Sequence, residues 1–412
     1  MVENRVHLLS VRGFRAGAVH AGIKSGHALD VAVLVCQTSA TAAAAFTTNR
    51  VVSPAVIIGR RHVAGGQLRG VVVNSGNANA CTGRRGLADA IAMCRLAAAH
   101  AACEAHEFLP SSTGIIGQHL PMDRIERGIA AAFEFLGNSR EHAMRFAEAI
   151  LTTDLKRKQA AATVKIGRET IRIAGVCKGS GMIGPRLAVP SVGASRAKHA
   201  TMLAYLTTDA KIPAAVLRKI LQAAADRSFN AVTVDDHAST NDTACVMASG
   251  LVGRTISSSA DIAKFARAFE QVCQSLAYQI AADGEGATKV IRIDVLGASD
   301  EPAARAIARQ IANSPLVKTA MHGNDPNWGR IVSAAGNAGV PFDADKAVLK
   351  LQGTVVFRRG QPVRFDDAQV SRSLDAREVR VELTCNLGKA RATCWTCDLS
   401  RQYIRINADY HT

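Results

Sequence analysis

Ala200-Thr201-Met202-Leu203-Ala204-Tyr205-Leu206-Thr207-Thr208-Asp209, near the midpoint of a 412-residue chain, reads as a small residue followed by an apolar strand that a core would bury. If the Ala200-Thr201 bond breaks, Thr201 carries a hydroxyl and a free α-amine on one residue, an arrangement that activates a weak hydroxyl nucleophile. The same letters also suit an ordinary β-branched residue opening a core strand.

Outward from this segment, 412 residues exceed the size at which a single core stops growing, so two or three lobes are expected. Hydrophobic residues make up 48% of the chain but aromatics only 4%, so Ala, Val, Leu and Ile must fill the interior. The net charge of +16 allows attraction to nucleic acid, an acidic partner or carboxylate substrates. The basic residues are scattered, with Arg84-Arg85, Lys156-Arg157-Lys158 and Arg358-Arg359 the densest groups, and they read as solvated faces. Scarce aromatics argue against single-strand stacking.

The ten cysteines are irregularly spaced and read as reduced, packed thiols. Cys394-Trp395-Thr396-Cys397 is the single CxxC and lacks a second ligand pair, so no metal is expected. Charged residues interrupt the first fourteen positions, which therefore lack the apolar core of a signal peptide, and no apolar run has the length of a membrane span. A soluble cytoplasmic protein, with neither nucleic acid nor membrane as partner, is the expectation.

The chain alternates in type. Val71-Val72-Val73 predicts a strand running into the polar, small-residue loop 74–80, and helices are predicted over 86–105 and, as one or two, over 122–152. Residues 163–166 and 170–173 predict a hairpin turning at Gly167-Arg168, followed by a glycine-rich run and an exposed loop over 186–199. Beyond Thr201, helices are predicted over 213–227, 260–280 and 301–313, and strands over 289–296, 347–357, 378–384 and 392–399. The class is mixed α/β.

Several short runs have the chemistry of a site. Ser111-Ser112-Thr113-Gly114-Ile115-Ile116-Gly117 suits either an oxyanion-binding loop or a helix-capping turn. Lys178 precedes a glycine-rich turn and either meets a substrate carboxylate or is a surface lysine. Glu285 lies between two glycines in Asp283-Gly284-Glu285-Gly286-Ala287-Thr288-Lys289, open to a ligand or part of a hairpin-like turn. Ser239-Thr240-Asn241-Asp242 and the run from His322 to Arg330 are unusually polar for so apolar a chain and read equally well as hydrogen-bonded structural loops. Gly179-Ser180-Gly181-Met182-Ile183-Gly184 matches GxGxxG, but Pro185 stands where a phosphate-binding helix should open, so no nucleotide cofactor is expected.

Taken in order, Gly22-Ile23-Lys24, Phe46-Thr47-Thr48-Asn49, 74–79, 112–117, Thr152-Thr153-Asp154, 178–182, 200–203, 283–289, 322–330 and Asn407-Ala408-Asp409-Tyr410-His411-Thr412 give the chain a full-length resemblance to a known family. It resembles the ornithine acetyltransferases, the bifunctional glutamate and amino-acid N-acetyltransferases of arginine biosynthesis. The resemblance implies a two-lobed, layered α-β-β-α fold shared with self-cleaving aminopeptidases. It implies cleavage at Ala200-Thr201 into an α-chain (1–200) and a β-chain (201–412), assembled as α2β2. Thr201 would then carry acetyl from N-acetylornithine to glutamate. Thr113 and Gly114 would stabilise the oxyanion, and Thr152, Lys178, Thr201, Glu285, Asn407 and Thr412 would contact substrate. No cofactor or metal is implied, apart from acetyl-CoA as co-substrate in bifunctional members.

The chain departs from the family pattern twice: the 186–199 segment is longer than usual, and Val234-Asp235-Asp236-His237 replaces an expected glycine and second acid. A self-cleaving aminopeptidase, which passes the acyl group to water, is the rival enzyme. A basic nucleic-acid-binding protein is the rival of another class, distinguished by salt-sensitive binding without acetyl transfer.

Overall fold

The computed structural model describes residues 6–190 and 201–409, and Ala200, Thr412 and most of the 186–199 segment lie outside them. The chain forms two compact units. One holds the described residues up to Asn230 together with His237–Leu276, and the other holds Ala231–Asp236 and the described residues from Ala277 onward. These units are not the two halves that a cut before Thr201 would produce, since both sides of that position belong to the first unit.

The first unit is built on a nine-stranded mixed sheet. Its strands are β1 (Phe14–Val19), β2 (Val31–Thr47), β3 (Gln67–Asn77), β4 (Phe108–Ile115), β5 (Lys158–Ile166), β6 (Glu169–Lys178), β7 (Leu187–Ala188), β8 (Leu203–Thr208) and β9 (Thr243–Ala248). Along the sheet the order is β4-β3-β2-β9-β8-β6-β5, with β1 and β7 also paired to β2. Its helices are α1 (Pro54–His62), α2 (Gly83–Ala101), α3 (Met122–Glu134), α4 (Arg140–Ala149), α5 (Ala214–Asp226) and most of α6 (Ser259–Ala282).

Strand periodicity divides the core between the two faces of this sheet. Val31, Val33, Val35 and Val72 pack with Met93, Ala97, Ile125 and Ile129 of α2 and α3. The alternate residues Ala32, Leu34, Val71 and Val73 pack with Ala143, Phe146 and Ala147 of α4. Covered on both faces, a strand can be buried along its whole length, as β8 is. Tyr205 of β8 meets Phe146 edge-on at 5.5 Å, which fixes the strand that follows Thr201 against α4.

The second unit has a six-stranded sheet, in the order β13-β12-β11-β14-β10-β15. Its strands are β10 (Val290–Ala298), β11 (Val348–Leu351), β12 (Thr354–Arg358), β13 (Gln361–Pro362), β14 (Glu378–Thr384) and β15 (Ala390–Cys397). Helices α7 (Glu301–Asn313), α8 (Pro315–His322), α9 (Trp328–Gly336), α10 (Asp367–Ser373) and α11 (Arg401–Asp409) complete it. Ile293, Val381 and Leu349 from three adjacent strands share one core with Ile307 and Ile311 of α7.

Four local expectations are corrected. The predicted strand over 347–357 is a hairpin, because Gln352 and Gly353 both take positive φ, 48° and 85°, the signature of a tight primed turn. The 74–80 loop starts later than expected, since β3 continues through Asn77 in parallel register with β4. The opening of the 186–199 segment is not wholly exposed: Leu187 is buried and pairs with Thr47 of β2. Residues 283–289 join α6 to β10 instead of forming a hairpin turn.

Candidate active site

Thr201 stands two residues before β8, half-buried, and the backbone on both sides of β8 determines what surrounds it. β8 runs parallel to β9, pairing Leu203 with Thr243, and antiparallel to β6, pairing Leu203 with Lys178. The approach to β9 is therefore beside Thr201, and Lys178 is carried in from the other edge.

On the β9 side, Thr201 Oγ1 and Ser239 Oγ share a hydrogen bond of 2.5 Å. Ser239 Oγ also accepts from Asn241 N at 2.8 Å. The buried Asp242 carboxylate accepts from Met202 N and, at 3.0 Å, from Ser239 N, so one side chain ties the residue after Thr201 to the residue bonded to it. Burial pushes the Asp242 carboxyl well above its ordinary range, against the pull of the Met202 amide and the Lys178 charge. The Asn241 amide donates to Ala78 O at 2.7 Å and Ser112 O at 2.8 Å, which anchors the end of β4 to this turn.

Thr113 and Gly114 follow directly. The helix-capping reading of this run is excluded, because both residues lie in β4, paired with Ser75 and Gly76 of β3. Gly114 has φ of 133°, and a Cβ there would stand 2.3 Å from the Gly76 carbonyl carbon, so only glycine fits. The buried Thr113 hydroxyl accepts from Lys178 Nζ at 3.4 Å.

Lys178 is no surface lysine. It is 3% exposed, and its ammonium donates to Thr152 Oγ1 at 2.7 Å and lies 3.9 Å from Asp154 Oδ2. Asp154 is the electrostatic anchor of the group, paired with the buried Lys158 at 2.6 Å and accepting from Gly179 N at 2.6 Å. Burial alone would raise its carboxyl, but Lys178 and then Lys158 outweigh that and hold it below the usual carboxylate range. A depressed carboxyl stabilises the fold above its unfolded-state pKa, and the contribution is lost as the pH falls through the lower folded-state value. Asp154→Ala leaves two buried ammonium groups under-compensated and is expected to cost about 3–5 kcal/mol in denaturant unfolding near pH 7. A loss below 1 kcal/mol, as for an exposed pair, contradicts the anchoring role.

The first unit thus gathers Thr201, Thr113, Gly114, Thr152 and Lys178, five residues drawn from four separate stretches of sequence. The second unit gathers two more: Asn407 of α11 donates to Glu285 Oε2 at 3.0 Å, and Glu285 is buried. Ala200 and Thr412, the remaining expected site residues, lie outside the described residues. Ser239, Asn241, Asp242 and Asp154 carry contacts that sequence reasoning did not assign. The one signal for the first three was a polar run inside an apolar chain, and Asp154 was named only within the Thr152-Thr153-Asp154 motif.

At the second departure from the family pattern, Asp236 adopts φ of 58°, a left-handed conformation that glycine takes more readily. Cys394 and Cys397 are buried free thiols, and among the described residues no group of three or more potential metal ligands occurs. Among the described residues no helix is long and apolar enough to cross a membrane.

A hydroxyl bonded to a second hydroxyl, a glycine near a strand end that no larger residue could replace and a buried ammonium among hydroxyls suit acyl transfer to or from an anionic substrate. Comparison with known proteins agrees with that class. The model of the ArgJ family matches residues 15–412. The arginine biosynthesis bifunctional protein ArgJ of Symbiobacterium thermophilum is 44% identical over 404 residues, 97% of each chain. That of Lactococcus lactis subsp. lactis is 42% identical over 412 residues, with both chains covered completely. Among solved structures, the ArgJ of Bacillus halodurans is 39% identical over 50% of this chain and 97% of its own, with a TM-score of 0.48. The ornithine acetyltransferase of Mycobacterium tuberculosis, in complex with ornithine, is 35% identical over 44% of this chain and 96% of its own, with a TM-score of 0.40. The chain belongs to the ArgJ family, the ornithine acetyltransferases its motifs resemble, and is an N-acetyltransferase of arginine biosynthesis.

Proposed function

We propose that the protein cleaves itself before Thr201 and then transfers acetyl from N-acetylornithine to glutamate through an acetyl-Thr201 ester. In the first stage Thr201 Oγ1 attacks the Ala200 carbonyl carbon and the peptide C–N bond breaks. The resulting ester frees the Thr201 α-amine, and water opens it, leaving a carboxylate on Ala200 and restoring the hydroxyl. In the second stage the same oxygen attacks the acetyl carbon, ornithine leaves with the proton, and the glutamate amine then takes the acetyl group from the ester.

The freed amine suits the role of base, since an α-amino group titrates at about 8, near the pH at which the proton must move. Thr113 and the Gly114 N–H stabilise the oxyanion in this reading. Thr152 and Lys178 hold the α-carboxylate, and Glu285, Asn407 and Thr412 complete substrate binding. The α-chain (1–200) and β-chain (201–412) assemble as a cytoplasmic α2β2 enzyme without a cofactor, with acetyl-CoA as a second acetyl donor.

The observation that carries the reading is the placement of the Thr201 hydroxyl, 2.5 Å from Ser239 at the mouth of a buried strand, in the unit that holds the Lys178 cluster. The test supplies N-acetylornithine labelled in the acetyl group, with glutamate, to the purified protein. Labelled N-acetylglutamate and parallel initial-rate lines are expected. Labelled acetate without transfer to glutamate would instead identify an amidohydrolase of the aminopeptidase kind.

A further inference from the structure

We propose that Lys24 is a specificity-determining residue that receives the side-chain carboxylate of the acetyl acceptor, so that Lys24 and Lys178 together select a dicarboxylic amino acid. The proposal rests on the acetyl-transfer reading above and adds a residue to it.

The loop between β1 and β2 is folded around the buried Asp30. Its carboxylate accepts from Ala21 N at 2.6 Å, Ile23 N at 2.6 Å and Lys24 N at 3.0 Å, which fixes where the Lys24 side chain begins. From there the stem crosses Gly76, where a Cβ would come within 2.9 Å of Lys24 Cγ, and Gly76 is the register partner of Gly114. The side chain therefore passes over the strand pair that presents the oxyanion residues. Its ammonium donates to Leu151 O at 3.0 Å, its one hydrogen bond among the described residues.

Leu151 immediately precedes Thr152, whose hydroxyl accepts from Lys178 at 2.7 Å. Two ammonium groups thus arrive on adjacent residues of one turn. The nearby carboxylates are already engaged, Asp30 by three backbone amides and Asp154 by Lys158 and Gly179 N. An ammonium has three donors, and a neutral carbonyl occupies one of those on Lys24. Burial lowers the Lys24 pKa to about 8; Asp30 and Asp154 oppose the shift, and Lys178 adds to it. A cation that is costly to keep charged gains most from an incoming carboxylate.

The two substrates of the proposed reaction differ in this respect. Both carry an α-carboxylate, but the donor has a cationic side chain and the acceptor a second carboxylate. Two ammonium groups match the acceptor, with Lys178 and Thr152 serving the carboxylate that both substrates share.

The test compares glutamate with glutamine as acceptor, with N-acetylornithine as donor, in the wild type, Lys24→Met and Lys24→Arg. Lys24→Met is expected to raise KM for glutamate about 10- to 100-fold, with a much smaller change for glutamine, so that the preference between them collapses. Lys24→Arg is expected to restore most of that preference. Because the preference is a ratio within one preparation, loss of folded protein cancels from it. An unchanged glutamate preference in Lys24→Met, or an equal loss for both acceptors, overturns the assignment. A wild-type protein that transfers acetyl to neither acceptor overturns the underlying reading instead.

Discussion

Thr201→Ala is expected to give one uncut polypeptide and to lower acetyl transfer on the order of 10⁴-fold or more, because both the cleavage and the transfer use the same oxygen. The variant should fold. Thr201 is half-buried, the bond from Met202 N to Asp242 involves only the backbone of the neighbouring residue, and Ser239 Oγ keeps its bond from Asn241 N at 2.8 Å. The Ser239 O–H loses its bond to Thr201, a cost of the size of one hydrogen bond, so stability should stay within about 1–3 kcal/mol of wild type. Thr201→Ser keeps a hydroxyl and is expected to retain cleavage and part of the turnover. Gel analysis beside a transfer assay reads both effects, and normal turnover in an uncut Thr201→Ala chain contradicts the assignment.

Thr113→Ala is expected to lower turnover by roughly two to three orders of magnitude, the usual consequence of losing one oxyanion donor. The geometry separates this from a binding defect. Lys178 is held mainly by Thr152 at 2.7 Å, and its contact with Thr113 is the longer one at 3.4 Å, so the ammonium should stay in place when the hydroxyl is removed. The loss should therefore fall on kcat, with KM for the carboxylate-bearing substrates changed far less. Substitution at neighbouring Gly114 cannot make the same test, because its Cβ would strike the β3 backbone and disturb the strand pair itself.

Long periodic segments were legible in the sequence. Helix 301–313 was predicted with the bounds of α7 (Glu301–Asn313), and the hairpin turning at Gly167-Arg168 is β5 and β6. Single motifs also marked residues that the structure buries together, as at Thr113 and Lys178. What escaped was the pairing of distant segments. Asp154, read only as a motif member, organises two lysines, and the Ser239-Thr240-Asn241-Asp242 turn reaches Thr201, Ser112 and Ala78 through side-chain bonds between residues far apart in sequence. Such contacts depend on strand register, and letters read one segment at a time do not state register. The 347–357 hairpin was missed for a local reason: glutamine before glycine is a weak turn signal, although the backbone there takes the same positive φ that Asn-Gly favours.

The most direct measurement is the intact mass of the wild-type protein in a preparation that is turning over, with the new amino terminus identified. Two fragments that sum to the 43.4 kDa chain plus one water, the second beginning at Thr201, are the expected result. A single unbroken polypeptide with full acetyl-transfer activity contradicts it, because the Thr201 nitrogen would then be an amide and could not serve as the base.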